Sequence, residues 1–382
     1  MEEVRKIRTA CRSCHGGCGI IAHVKDGKVI KVEGDPNSPI SHGTLCSKGL
    51  SITQLAYHPD RILYPMKRKG AKGEGKWERI TWEEALNTIA EKFKKVIAEY
   101  GPESIVVGQG TGRDYESHLY RFANLLGTPN VLTAGHMCYV SRVGSTLITV
   151  GTLPIADYEG EPKCIVMWAC NPQWTNPDEY KGENFWRAYK KGAKLICIDP
   201  RRGFIANKAD LWLQLRPGTD AALSLGFHYV IIEEELYDKE FVENYVNGWE
   251  AWKERVKEYP PERVQEITWV DKDLIRKAAR MYATTKPACI HWGVPTEQSI
   301  NCVNYTRATA ALMGITGNLD APGGNALFVN PPTRTVAEFS RHRDLSPEQQ
   351  KKRLGGDQFK LGARVALINP KKAWDAIVTG KP

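Results

Sequence analysis

The sequence predicts an α/β fold with a small β-rich unit at its N-terminus, and three observations carry that prediction. From about residue 80 onward, short apolar runs alternate with amphipathic runs of helical period, the rhythm of parallel sheets joined by crossover helices. Residues 20–33, IIAHVKDGKVIKVE, instead alternate apolar and polar around Asp26-Gly27, which predicts a tight hairpin. Just before the hairpin, CRSCHGGCG sets Cys11, Cys14 and Cys18 so close together that a metal centre, not a disulfide, is the reading.

Taken in order, the hairpin unit should end near Pro59. ITWEEALNTIAEKFKKVIAEYG predicts a strong helix. Thr81 and Glu84 form a candidate capping box, Leu86, Ile89, Ala90, Phe93, Val96 and Ile97 share one face, and Gly101-Pro102 stops it. SIVVGQG, from Ser104, reads as a buried strand. Helices are expected near 115–127, 182–191 and 220–233, with strands near 163–169 and 194–198. DKDLIRKAARMYAT predicts a further helix, ACIHWG a strand, and NCVNYTRATAALMGITGN a helix ending at Gly317. The last stretch, VALINPKKAWDAIVTGKP, shows no closing helix or strand.

Composition narrows the function. At 382 residues the chain suits two or three domains. No apolar span is long enough to cross a membrane, so no transmembrane segment is expected. MEEVRKIRTA has neither an apolar signal region nor a twin arginine, which predicts a cytoplasmic location. The net charge of +9 is not gathered into a basic run interleaved with aromatics, so nucleic acid is not an expected partner. The same excess suits a polyanionic cofactor.

The fourth ligand for the three close cysteines is expected at Cys46 in GTLCSKG, giving C-x2-C-x3-C-x27-C. Four-cysteine zinc sites usually present two C-x2-C knuckles, and here Cys46 stands alone. Iron–sulfur clusters accept several close cysteines and one remote one. A [4Fe–4S] cluster is therefore the preferred reading and zinc the alternative, with His15 able to replace one zinc ligand. Gly16, Gly17 and Gly19 let the loop wrap a bulky cluster and aim N–H groups at its sulfurs. Cys164, Cys170, Cys197 and Cys289 sit in or beside apolar strand-like runs and read as buried small hydrophobes.

Polar residues gather where predicted strands end. CIVMWACNPQWTNP puts Asn171-Pro172 after one strand, and LICIDPRRG puts Asp199 and Arg201 after the next. LRPGTDAAL puts Gly218 and Asp220 at a helix N-terminus. Loops beyond the carboxyl ends of parallel strands are where open α/β sheets bind nucleotides. Asp199 can accept from ribose hydroxyls or guanine amino groups, and Arg201 can pair with phosphate. No G-x-G-x-x-G follows a strand, so the ordinary NAD or FAD fingerprint is absent.

Together, C-x2-C-x3-C-x27-C-x-K-G from Cys11 to Gly49, WACNPQWTNP, IDPRRGFIANKADLWLQLRPGTDAAL and TGNLDAPGGN resemble, in that order, segments of the molybdenum/tungsten bis-pterin guanine dinucleotide oxidoreductases, the dimethyl sulfoxide reductase family. The resemblance covers nearly the whole chain. It implies a [4Fe–4S] domain at 1–58 and two Rossmann-like, parallel-sheet α/β domains. One is discontinuous (59–137 and 288–382) and the other is inserted into it (138–287), each binding a pterin dinucleotide. The family's C-terminal β-barrel domain is absent, and a further chain or segment is expected to supply it.

The implied cofactors are the [4Fe–4S] cluster and bis-molybdopterin guanine dinucleotide with Mo or W. Asn171, Asp199, Arg201, Gly218 and Asp220 would face the dinucleotides, and Lys48 would lie between cluster and pterin. The metal's protein ligand is placed in TAGHMCYVSRVGST: Cys138, with Ser141 as runner-up, and with His136 and Arg142 beside it to act on substrate protons or charge. Tyr139 follows Cys138 where the family's formate dehydrogenases have His, and Arg12 follows Cys11 where its hydratase-like members have Asp. The implied activity is oxygen-atom, sulfur-atom or hydride transfer with a small-molecule substrate. Electrons would pass through the cluster to a ferredoxin-like iron–sulfur subunit. A non-redox hydratase and an electron-relay subunit without Mo or W are the rival readings.

Overall fold

The computed structural model describes residues 3–14, 16–110, 115–175, 181–329, 339–340, 344–360, 362 and 367–380. At the N-terminus, Arg5–Ala10, Gly19–Lys25 and Lys28–Gly34 form a three-stranded antiparallel sheet in chain order. Asp26 and Gly27 make the expected turn with φ of 48° and 73°, the left-handed pair that a two-residue hairpin loop requires. The alternation works as read: Ile20, Ala22 and Val32 are buried on one face.

The helix Trp82–Tyr100 forms as predicted, and the Thr81 hydroxyl accepts the Glu84 N–H at 3.1 Å. Its apolar stripe, however, is only partly covered among the described residues: Phe93, Val96 and Ile97 are half-buried, with Phe93 packed near Phe122. No residue of the helix is buried, and Leu86 and Ile89 are exposed. SIVVGQG is corrected. Only Val107–Gly108 is strand, paired in parallel with Val131–Leu132, and although Ile105 is buried, Val106 is exposed. Among the described residues the segment pairs with one short strand only, and Val106 lies outside the pairing.

The centre of the molecule is a four-stranded parallel sheet, ordered Leu211–Leu213, Lys194–Ile198, Cys164–Trp168, Ala288–Trp292. Every residue of Cys164–Trp168 is buried, and its side chains divide by the period of two. Cys164, Val166 and Trp168 enter the core shared with helices Asp220–Glu233, Lys272–Thr284 and Cys302–Ile315. Ile165 and Met167 enter the core on the other side, with helix Lys181–Lys190. The strand Ala288–Trp292 lies at the sheet edge, and side-chain amides satisfy its outer backbone. Asn318 Oδ1 accepts Ala288 N–H, and Asn325 both accepts Ile290 N–H and donates to Ile290 O, each at 2.9 Å. The sheet thus runs across residue 288.

Residues beyond 339 return to the segment around 103–131. Asn124 Nδ2 donates to Ser340 O at 2.6 Å, Leu354 N–H to Asn130 Oδ1 at 3.0 Å, and Ile368 N–H to Val131 O at 3.2 Å. The tail is also corrected: Pro370–Thr379 is a helix. Asn369 caps it by accepting Lys372 N–H at 3.1 Å, Pro370 opens it, and Gly380 ends it at φ +67°. Among the described residues no helix is long and apolar enough to cross a membrane.

Candidate cofactor site

The first cysteine loop is closed by the sheet that carries it. Ala10 and Gly19 are register partners, and Cys11 N–H donates to Cys18 O at 2.8 Å, so Cys11 and Cys18 are held at the mouth of the loop. Gly16 N–H donates to Cys14 Sγ at 3.4 Å, one instance of the expected backbone-to-sulfur bonding. Cys46 stands at the N-terminus of the one-turn helix Ser47–Leu50. A close backbone approach sets its position: a Cβ on Gly34 would lie 2.1 Å from Gly43 O, so the Cys46 loop can press directly onto the sheet end. The Cys18 thiol is pushed up to about 11 by burial first and then by Cys11, Cys14 and Cys46, which places all four sulfurs within one electrostatic neighbourhood. Four gathered thiols with a backbone donor fit a cluster. His15 lies outside the described residues. Lys48 is exposed on the one-turn helix, two residues past Cys46.

A second site opens at the carboxyl ends of the parallel strands, a cavity of about 1100 Å³. Cys138, Arg142, Asn171, Asp199 and Arg201 all line it, although 63 positions separate the first from the last. Cys138 follows the 3-10 turn Ala134–Met137, where its N–H donates to Gly135 O at 3.2 Å, and it precedes the helix Val140–Val150. The His136 side chain lies outside those described. One helical turn past Cys138, Arg142 pairs with Glu297 and donates to Trp292 O at 3.1 Å. Ser141 Oγ is engaged with Glu297 O at 3.2 Å. Burial raises Glu297 to about 7 against the pull of Arg142, and the guanidinium supplies the charge that keeps the pair together.

Asp199 follows the strand Lys194–Ile198. Its Oδ1 accepts Arg201 N–H at 2.8 Å, and burial raises its pKa. Gly218 and Asp220 do not join these residues. Gly218 is an exposed turn residue at φ +83°. Asp220 is buried and accepts the indole N–H of Trp168 at 2.8 Å, because a buried indole donor needs a partner. Of the four cysteines read as buried hydrophobes, Cys164, Cys197 and Cys289 are buried, whereas Cys170 is half-buried and lines the cavity. The strand ends at Trp168, two residues before it, so the loop turns it outward.

Sequence reasoning missed Glu297, His291, Trp174 and Phe204, all in the cavity wall. The strand-end rule that found Asn171 and Asp199 applies equally to the residues after ACIHWG and would have found Glu297. A cavity of this volume exceeds what a small substrate needs, and its Arg201 cation, Asn171 amide and Asp199 carboxylate suit phosphate and a base edge, while Cys138 offers a soft donor. The residues present fit a large, anionic, metal-carrying cofactor.

Four cysteines of this spacing, together with a cavity of this size at parallel strand ends, define an iron–sulfur protein with a second, larger cofactor site. The chain matches the Molybdopterin oxidoreductase family over residues 61–373 and the Molybdopterin oxidoreductase Fe4S4 domain over residues 4–58, and it belongs to the molybdopterin oxidoreductase family. That match decides the cysteine loop for iron–sulfur over zinc, and the family's cofactors are a [4Fe–4S] cluster and a molybdopterin with Mo or W. The chain is 41% identical to acetylene hydratase of Syntrophotalea acetylenica over 93% of its own length and 49% of that protein's. It is 30% identical to the thiosulfate reductase molybdopterin-containing subunit of Salmonella typhimurium (97% and 50% covered). It is 33% identical to formate dehydrogenase H of Escherichia coli (86% and 46% covered). The solved structure of acetylene hydratase from Pelobacter acetylenicus superposes with a TM-score of 0.90 at 37% identity, over 99% of this chain and 55% of that one. The chain spans about half the length of the curated relatives it matches.

Proposed function

We propose that this chain is the catalytic subunit, or its N-terminal part, of a molybdenum- or tungsten-dependent oxidoreductase acting on a small molecule. The convergence of Cys138, Asn171, Asp199 and Arg201 on one cavity carries the reading. When bound, the cofactor supplies a metal that exchanges electron pairs, which the cluster can pass on singly to a ferredoxin-like partner. The chain's own contribution is to hold and polarise. Cys138 is the protein donor to the metal, Asp199 takes the amino edge of a guanine, Arg201 takes phosphate, and Arg142, clamped by Glu297, presents fixed positive charge beside Cys138. Lys48 offsets negative charge near the cluster. Two pterin guanine dinucleotides, one for each α/β unit, are the finer cofactor reading. For the domains we propose 1–58, 59–137 with the later residues, and an insert from 138. The contacts of residues 340–368 with 124–131 support the discontinuous unit, and the strand at 288–292 extends the insert beyond 287. Additional polypeptide, in the same chain or another, would cover the open face of Trp82–Tyr100.

Anaerobic purification followed by elemental analysis and pterin fluorescence tests this. About four irons per chain, with Mo or W and pterin, are expected. Iron with neither Mo, W nor pterin would select the electron-relay reading, and zinc without iron would sink both. Similarity to acetylene hydratase favours one second reading, a hydratase. Arg12 beside Cys11, where such members carry Asp, counts against it. Turnover that persists without any electron acceptor would select the hydratase.

A further inference from the structure

His291 lies in the cavity wall, on the edge strand and next to Trp292. Behind it stands Tyr158, 5% exposed, with its ring edge-on to Phe185 at 6.1 Å. The Tyr158 hydroxyl is 2.7 Å from His291 Nδ1. Burial holds the Tyr158 phenol well above its ordinary range, so it keeps its hydrogen at working pH. At 2.7 Å, Nδ1 is a nearer and stronger acceptor for that hydrogen than the Met167 thioether at 4.0 Å. A neutral imidazole that accepts at Nδ1 carries its proton on Nε2, at the ring edge away from Tyr158.

We infer that His291 is a cofactor-binding residue, held by Tyr158 as the Nε2–H tautomer so that it donates to an acceptor oxygen of the dinucleotide in this cavity. Tyr158 is then a positioning residue. A donor whose direction is set before binding loses little freedom when the ligand arrives. The inference rests on the reading of the cavity as a dinucleotide site. It adds a donor from the edge strand, which neighbours the strand leading to Asn171 and lies two strands from the one leading to Asp199.

The test uses the full chain. Long-range 1H–15N correlation on 15N-histidine-labelled protein reads the tautomer, and pterin and iron per chain are measured in the parent, His291→Leu, His291→Gln and Tyr158→Phe. Expected are the Nε2–H tautomer in the parent, and a loss of pterin of about fivefold in His291→Leu with unchanged iron. His291→Gln should recover most of the pterin, since its amide donates from nearly the same point, and Tyr158→Phe should mix the tautomers. An Nδ1–H parent overturns the assignment. So does His291→Leu with as much pterin as the parent, or His291→Gln falling as far as His291→Leu. A parent with iron but no pterin overturns the cavity reading itself and this inference with it. A loaded parent with an equally loaded His291→Leu overturns only the role of His291.

Discussion

At the scale of single residues, the thiols show how context decides chemistry. Burial pushes Cys164 and Cys197 up to about 12, so neither is a thiolate near neutrality. Cys138 is half-buried, lines the cavity and lies one helical turn from the Arg142 cation. Cys138→Ala should therefore lower turnover by about a hundredfold or more while iron and pterin stay near the parent's amounts. Normal turnover would pass the role to Ser141. Asp199→Ala should reduce bound pterin and leave iron intact, and equal pterin in variant and parent would remove Asp199 from the site. His228 supplies a prediction about pH. It is fully buried and neutral, with Nε2–H donating to Ala308 O at 2.8 Å and Nδ1 accepting from Trp252 at 3.2 Å. Burial lowers its pKa from 6.5 to about 4. Between those values the unfolded chain binds the proton and the folded one does not. The stability His228 contributes is therefore complete above 6.5, falls as pH drops toward 4, and amounts to about 3 kcal/mol. Urea midpoints at pH 7.5 and 5 should separate more in the parent than in His228→Gln, and identical separations would refute this.

At the scale of elements, what was legible is what has a local signature. The Asp26-Gly27 hairpin, the Thr81 cap and the alternating strand Cys164–Trp168 each follow from a few adjacent residues. The tail helix also has local signals, Asn369 and Pro370 before it and Gly380 after it, but its 10 residues give a helical period little room to show. The pairing of Arg142 with Glu297 had no local signature, because 155 positions separate the two and only the fold brings them together. Asp220 misled because a helix N-terminus suits an anion-binding turn and an inward hydrogen bond equally well. The Gly34 contact was equally invisible, since its constraint comes from Gly43 across a loop. It gives a prediction at this scale. A methyl group on Gly34 would collide with the Gly43 carbonyl, push the Cys46 loop off the sheet and spread the four sulfurs. Gly34→Ala should lower iron content although Gly34 is no ligand, whereas Gly27→Asn, at an open turn whose positive φ asparagine tolerates, should not. Full iron in purified Gly34→Ala would show that the loop position does not depend on this contact.

At the scale of the whole molecule, the unusual feature is apolar surface that the chain does not use. Among the described residues, the helix Trp82–Tyr100 has a clear apolar stripe but no fully buried residue, with Leu86 and Ile89 exposed, and the tail helix leaves Trp374, Ile377 and Val378 open. A stripe of that pattern on a globular protein is ordinarily half of a packed interface. The relatives run to about twice this length, which is the natural source of a cover. The two cases differ in what a charge on the stripe costs. On an uncovered helix face, Ile89→Glu loses no buried contact and should shift stability by no more than about 0.5 kcal/mol. Under a cover, it forfeits about 2 kcal/mol of side-chain burial and also strands a carboxylate away from water. The 382-residue chain should therefore tolerate Ile89→Glu, while a form extended to the relatives' length should lose several kcal/mol, read as a lowered denaturant midpoint. Dye binding to exposed apolar surface should move in the opposite sense, strong for the short form and weak for the long one. If both forms tolerate the substitution equally and bind dye equally, the stripe is not an internal interface of the longer protein, and a separate subunit becomes the candidate to cover it.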